Sequence, residues 1–179
     1  MIPQATIREA REDDAAAIAW VQVDTWRTAY RGIVDDDFLD RLSYERSAQR
    51  IQEAFMGPQS SGWVYVAEND AGEIVGFACG GPERSGDPVY TGELYGIYVL
   101  PEYHRRGIGR ALTAAIAGRL VQSNRCKMLL WALAANPCRA FYEALGCRVL
   151  REQEIGIGGE PYTEVAYVWE DITPLLQGT

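Results

Sequence analysis

The amino-acid sequence predicts an α/β fold, more narrowly an α+β arrangement in which a mixed sheet carries helices on its faces. Three observations lead there. Strand-like and helix-like segments alternate only in the middle of the chain, with helices clustered before and paired strands on either side. Ile108, Leu112, Ile116 and Leu120 recur four apart, with Ala111 and Ala115 beside them, which is a core-facing helical stripe with small residues for close packing on a sheet. A buried strand then runs straight into a glycine-containing turn that opens this same helix. The 179 residues suit one domain over 1–179, large enough to bury a core without disulfide or metal staples.

The elements follow in order. Thr6 to Glu9 is short and extended, and Glu12-Asp13-Asp14 supplies acidic residues for a helix start. Ile18, Val21 and Trp26, with Ala15 and Ala29, predict an amphipathic helix from about 13 to 30. Asp35-Asp36-Asp37 caps a short helix through Leu42, and Ser43 starts another to about Phe55, ended by Gly57-Pro58. Trp63 to Glu68 and Ile74 to Gly80 form a hairpin around Asn69-Asp70-Ala71-Gly72. Glu93 to Leu100 is a third strand, followed by the glycine turn and a helix to about Val121. Lys127 to Leu133 is a strand. Asn136-Pro137 starts a helix to about Leu145, proline being tolerated in a first turn. Two last strands, about Cys147 to Ile155 and Tyr162 to Trp169, are joined by Gly156-Ile157-Gly158-Gly159.

Composition narrows the function classes. A net charge of -8 excludes a general nucleic-acid binder and an anionic membrane surface as partners; it is compatible with a cationic amine. Cys79, Cys126, Cys138 and Cys147 form no C-x-x-C pair and read as reduced, mostly buried thiols of a cytoplasmic protein. The N-terminus shows no signal-peptide pattern, and no run is long enough to span a membrane. His104 is the only histidine, so a Ser-His-Asp hydrolase and a Cys/His metal site are not expected.

The richest stretch is Leu94 to Leu112. His104, Arg105 and Arg106 precede Gly107-Ile108-Gly109, and Arg110 follows. Glycine lets a backbone approach a bulky ligand, a helix start leaves N–H groups without internal partners, and the macrodipole adds partial positive charge. That combination is an anion site suited to phosphate. It lacks the third glycine of a dinucleotide fingerprint and the lysine of a phosphate loop. A purely structural turn would leave the arginines clustered at a helix N-terminus without a reason.

This run resembles motif A of the GNAT superfamily of acetyl-CoA-dependent N-acetyltransferases, Q/R-x-x-G-x-G/A after an apolar strand ending in V-x-P. The matching residues are Val99-Leu100-Pro101 and His104 to Gly109, with His104 where Gln or Arg is usual. A second block, Asn136 to Cys147, resembles the family's N-x-x-A-x-x-F-Y-x-x-x-G-F, with Cys147 where Phe is common. The resemblance is specific over about residues 73 to 150, the cofactor core.

It implies a mostly antiparallel sheet of about seven strands whose central parallel pair splays apart, with helices on both faces. It implies acetyl-CoA as co-substrate, its pantetheine arm in the gap. Main-chain groups of Ile97 and Val99 would pair with the pantetheine amides, and amides from Arg105 to Arg110 would cradle the pyrophosphate. Asn136 would bond the pantetheine arm. Tyr98, His104 and Arg139 complete the expected cofactor set. Tyr142 would lie near the sulfur as general acid for the departing thiolate; otherwise Phe141-Tyr142 is a core aromatic pair. Glu93, the only acidic residue on the strand leading into the site, is the candidate base, the other reading being an exposed glutamate at a strand start. Trp26, Tyr30 and Tyr95 are candidate acceptor-wall residues, where aromatics suit a cation; core packing is the alternative.

The expected activity is acetyl transfer from acetyl-CoA to a primary amine of a small molecule by direct attack in a ternary complex, with no metal. The alternatives are a non-catalytic acyl-CoA sensor and a protein lysine or N-terminal acetyltransferase. Homodimerisation, common in relatives, would use apolar residues of Tyr162 to Trp169.

Overall fold

The computed structural model describes residues 5–57 and 60–177. Seven strands form one sheet: β1 (Thr6–Glu9), β2 (Trp63–Glu68), β3 (Ile74–Pro82), β4 (Gly92–Val99), β5 (Met128–Leu133), β6 (Arg148–Ile157) and β7 (Glu160–Trp169), in the order β1-β2-β3-β4-β5-β7-β6. Only β4 and β5 run parallel, and they pair only at Gly92↔Met128 and Glu93↔Leu129. Beyond Glu93 the two strands part. The other pairs are antiparallel. The mixed sheet and its splayed parallel pair match the expectation.

The helices are α1 (Ala15–Ala29), α2 (Asp36–Asp40), α3 (Tyr44–Ile51), α4 (Ile108–Gln122) and α5 (Arg139–Ala144). Asp35 caps α2 by accepting from the Phe38 N–H at 2.8 Å, and Ser43 caps α3 through the Arg46 N–H at 3.2 Å. The predicted long third helix ends at Ile51 and passes into a wider π-type turn, Gln52–Met56; Pro58, expected to end it, lies outside the described residues, as do Met1 to Gln4. The helix predicted from Asn136 begins at Arg139 instead. Asn136 Oδ1 accepts from the Cys138 N–H at 2.7 Å, so an asparagine turn holds Pro137 ahead of the helix.

α1 and α4 cover opposite faces. A Cβ on Gly80 would meet Ile116 of α4. Phe77, of opposite parity on β3, stacks 5.2 Å from Tyr98, whose hydroxyl accepts from Trp26 Nε1 of α1. The main core, with Ile18, Phe77, Leu112, Ile116 and Tyr167, fills both sides of the sheet. A smaller cluster joins Tyr30, Val34, Leu39 and Leu133 to Phe38, Ile157 and Tyr162, so the tip of the β6–β7 hairpin rests on α2. Gly158 and Gly159 both have positive φ, the requirement of a two-residue hairpin turn.

Of the four free cysteines only Cys79 is buried; Cys126 and Cys138 are exposed and Cys147 is intermediate, which corrects the expectation of mostly buried thiols. No described helix is long and apolar enough to cross a membrane.

Candidate active site

The anion turn is built from main chain. Arg105 (φ 60) and Gly107 (φ 80) are left-handed, and they fold the segment between Pro101–Tyr103 and α4 back on itself. Among the described residues, the N–H groups of residues 105 to 110 have no hydrogen-bond partner; the first engaged is Ala111, donating to the Gly107 carbonyl at 3.0 Å. Successive free donors at the start of a fifteen-residue helix make an anion-binding concavity. A Cβ on Gly109 would sit 3.0 Å from Phe141, so glycine there lets α5 approach the turn.

Between this turn and α5 runs a groove of about 720 Å³, lined by Ile97, Val99, His104, Arg105, Gly107 to Arg110, Phe141 and Tyr142, among others. On the α1 side of the splay lies a smaller cavity of about 80 Å³. Thr25, Ala29 and Tyr30 of α1 wall it, with Tyr95 to Tyr98 of β4, Leu130 to Ala132 of β5, Asn136, Cys138 and Tyr142. Groove and cavity share Ile97, Cys138 and Tyr142. The gap between β4 and β5 is therefore where they meet.

Tyr142 is buried against Tyr167, with ring centroids 5.7 Å apart. Its hydroxyl forms no hydrogen bond with any described residue. Burial, reinforced by the neighbouring phenols, pushes its phenol far above the usual range. Burial likewise raises Tyr30, and it raises Tyr95 and Tyr98 to about 12. The phenols of the cavity are thus proton-bearing at neutral pH. Tyr142 is both a core residue and a cavity residue.

Other expected residues lie apart. Glu93 is buried, but it lines neither space. Arg84 Nη2 and Nε grip its two oxygens at 2.5 and 3.0 Å, and the Arg84 N–H adds a third bond at 3.1 Å. The same guanidinium sits 4.2 Å from the centre of the Tyr95 ring. Arg106 turns away from the groove, donating to the Glu102 carbonyl at 2.7 Å and lying over Tyr103; only its main chain faces the anion turn. Arg139 points to β7 and to the loop before α5, where Nε donates to Tyr167 OH and Nη1 to the Ala134 carbonyl. Asn136 lines the cavity, not the groove, and Nδ2 donates to Tyr30 OH at 3.1 Å. His104 Nε2 bonds the Val99 carbonyl at 2.8 Å, so one main-chain group expected to pair with a ligand already has a side-chain partner. Trp26 stands behind the wall, 4.8 Å from the Tyr30 ring and bonded to Tyr98.

Sequence reasoning did not single out Thr25, Ala29 or Trp131 on the cavity wall. Thr25 and Ala29 are i,i+4 neighbours on one helix face, and their small size beside Tyr30 is the signal that space was left there. The Thr25 hydroxyl oxygen is buried with no hydrogen-bond partner.

Residues 20–147 match the acetyltransferase (GNAT) family. The uncharacterised N-acetyltransferase YuaI of Bacillus subtilis is 38% identical over 170 residues, covering 95% of each chain. An aminoglycoside N(6')-acetyltransferase type 1 of Stenotrophomonas maltophilia is 37% identical over 119 residues, which is 62% of this chain and 64% of that one. Among solved structures, a phosphinothricin acetyltransferase from Sinorhizobium meliloti in complex with acetyl-CoA shares the fold, with a TM-score of 0.70 at 22% identity over 93% of this chain and 88% of that one.

Proposed function

The chain belongs to the acetyltransferase (GNAT) family, and from that premise we propose that it transfers the acetyl group of acetyl-CoA to a primary amine of a small molecule, by direct attack with both substrates bound. The observation that carries this reading is the meeting of a large groove and a small cavity at Tyr142, one ending in unpartnered main-chain donors and the other walled by aromatic side chains.

The residues present fit the co-substrate. The N–H groups of residues 105 to 110 would hold its pyrophosphate, with charge added by Arg105 and Arg110. Main-chain groups of β4 at Ile97 and Val99 would take the pantetheine amides as an added strand, with the His104 ring giving up the Val99 carbonyl on binding. Acetyl-CoA supplies a thioester carbonyl carbon that accepts the amine lone pair while its C–S bond breaks. Tyr142, kept neutral by burial, holds a proton at its hydroxyl for the departing sulfur and regains one from water. The aromatic wall limits water at the junction and so limits hydrolysis.

Glu93 serves differently in this reading from the base expected of it. A carboxylate that takes three hydrogen bonds from Arg84 and lines neither the groove nor the cavity is poorly placed to take the amine proton. Its role is to fix Arg84 against Tyr95 and so set the β4 wall. The amine proton then leaves to water at the cavity mouth.

The test is calorimetry with acetyl-CoA followed by thiol release over a broad amine panel. Binding together with release on a small amine is expected. Absence of measurable acetyl-CoA binding would overturn the reading.

A further inference from the structure

The sheet face under α1 carries a carboxylate that no described cation meets. Glu164 of β7 is buried, with 8% of its surface exposed. Gln153 of β6, opposite it in register, donates from Nε2 to Glu164 Oε1 at 2.6 Å. That neutral amide is the only side-chain partner of the carboxylate among the described residues. Oε2 takes no bond from any of them, yet it is not sealed from solvent as Thr25 Oγ1 is, so a ligand can reach it.

The ladder register fixes the side on which the carboxylate lies. Glu164 pairs with Leu133 of β5, and Leu133 packs with Tyr30, Val34 and Leu39. Partners across a ladder share a face, as do residues two apart on one strand. Trp131, which walls the cavity, therefore projects to the same side as Leu133 and Glu164. Opposite Trp131 stands Ala166, whose methyl group leaves room beside the ring. Arg151, next across on β6, lies 5.4 Å from the Trp131 ring centre and already has a counter-charge in Asp87 at 3.1 Å.

We infer that Glu164 receives a second cationic group of the acceptor, so that the preferred substrate is a short diamine rather than a simple alkylamine. The inference rests on the acetyltransferase reading above and deepens it by naming the substrate class. A buried carboxylate with one neutral partner is costly to keep until a cation joins it. The reacting amine sits where the gap between β4 and β5 opens at Tyr142, and the far ammonium crosses β5 to reach β7. Roughly one to two strand spacings of about 5 Å separate the two, a span that a chain of about four carbons covers. The bond formed there is charge-assisted, the stronger kind. A methyl or hydroxyl tail leaves the carboxylate without a counter-charge, and a carboxylate tail adds repulsion.

The experiment compares butylamine, 4-aminobutan-1-ol, 4-aminobutanoate and the diamines 1,3-diaminopropane, 1,4-diaminobutane and 1,5-diaminopentane. For each, kcat/KM per amino group is read from thiol release with the wild type, Glu164→Gln and Glu164→Asp, and acetyl-CoA binding is measured by calorimetry on the same preparations. The wild type should prefer the best diamine over butylamine by about tenfold or more, the scale of a hydrogen bond to a charged group. Glu164→Gln keeps the shape and an oxygen for Gln153 but removes the charge, and should bring that ratio near unity. Glu164→Asp keeps the charge but withdraws it by one methylene, and should retain the preference while moving the optimum to a longer diamine. Absence of acetyl-CoA binding by the wild type would overturn the acetyltransferase reading and the inference with it. With binding intact, the inference alone is overturned by equal use of diamines and butylamine, by preference for the alcohol or the carboxylate, by a ratio that Glu164→Gln leaves unchanged, by a preference that Glu164→Asp abolishes as fully as Glu164→Gln, or by no turnover of any diamine.

Discussion

The groove and the cavity are made in different ways. The groove's anion end comes from one continuous stretch, residues 104 to 110, and its donors are main-chain N–H groups whose direction is set by two left-handed residues and a helix start. The cavity is assembled from α1, β4, β5 and the turn before α5, and its chemistry lies wholly in side chains. A backbone site is sensitive to local conformation and tolerant of side-chain identity. A side-chain site is the reverse. A common co-substrate and a variable acceptor call for that division.

The sharpest way to break the comparison is at Gly107. Valine there must hold φ near 80°, a conformation that β-branched residues rarely adopt. If the groove is a backbone device, Gly107→Val should weaken acetyl-CoA by about a hundredfold, the loss of roughly two charge-assisted hydrogen bonds. Calorimetry measures it, and circular dichroism checks that the sheet survives. Tyr142→Phe tests the junction. Turnover at saturating substrates should fall by about a hundredfold, the usual size of a lost general acid, with acetyl-CoA affinity retained. Unchanged turnover would return Tyr142 to the core alone.

The same division explains what the sequence disclosed. Spacing of Gly107 and Gly109 ahead of the Ile108–Leu120 stripe is enough to locate free donors, because helix geometry dictates which N–H groups lack partners. The order of strands and helices along the chain was legible for a similar reason, since strand and helix periodicities are local; the splayed pair was implied only by the resemblance to the family. Side-chain partnerships across elements were not. Alternation along β4 gives the parity of Glu93 but cannot reveal that Arg84, from the loop after β3, closes over it. Helical position likewise could not say that Arg139 reaches Tyr167 or that Arg106 turns back to Glu102. Thr25 escaped because an unsatisfied hydroxyl is visible only once every neighbour has been placed.

Glu93→Gln separates a wall element from a base. The Glu93 side chain is only 3% exposed, but that of Arg84 is 62% exposed. Solvent screens the pair, so the cost to stability should be about 1 kcal/mol, a melting shift of roughly 2–4 °C for a chain of this size. The basic limb of the rate against pH should keep its midpoint. A flattened limb would make Glu93 the proton acceptor after all and require the ion pair to open during turnover.

The mildest effects should come from the arginines around the turn, and their ranking tests whether side-chain charge is secondary there. Arg105 and Arg110 line the groove, whereas the Arg106 guanidinium is committed to the Glu102 carbonyl and the Tyr103 ring. Arg110→Ala should weaken acetyl-CoA about threefold to fivefold at low salt, the scale of an exposed charge contact, and the difference should shrink as ionic strength rises. Arg106→Ala should leave affinity and its salt dependence nearly unchanged, because that residue contributes only its main-chain N–H, which alanine also has. If Arg106→Ala proves the more damaging of the two, the guanidinium must swing into the groove on binding. The anion end would then be a side-chain site like the cavity, and the contrast between the two regions would fail.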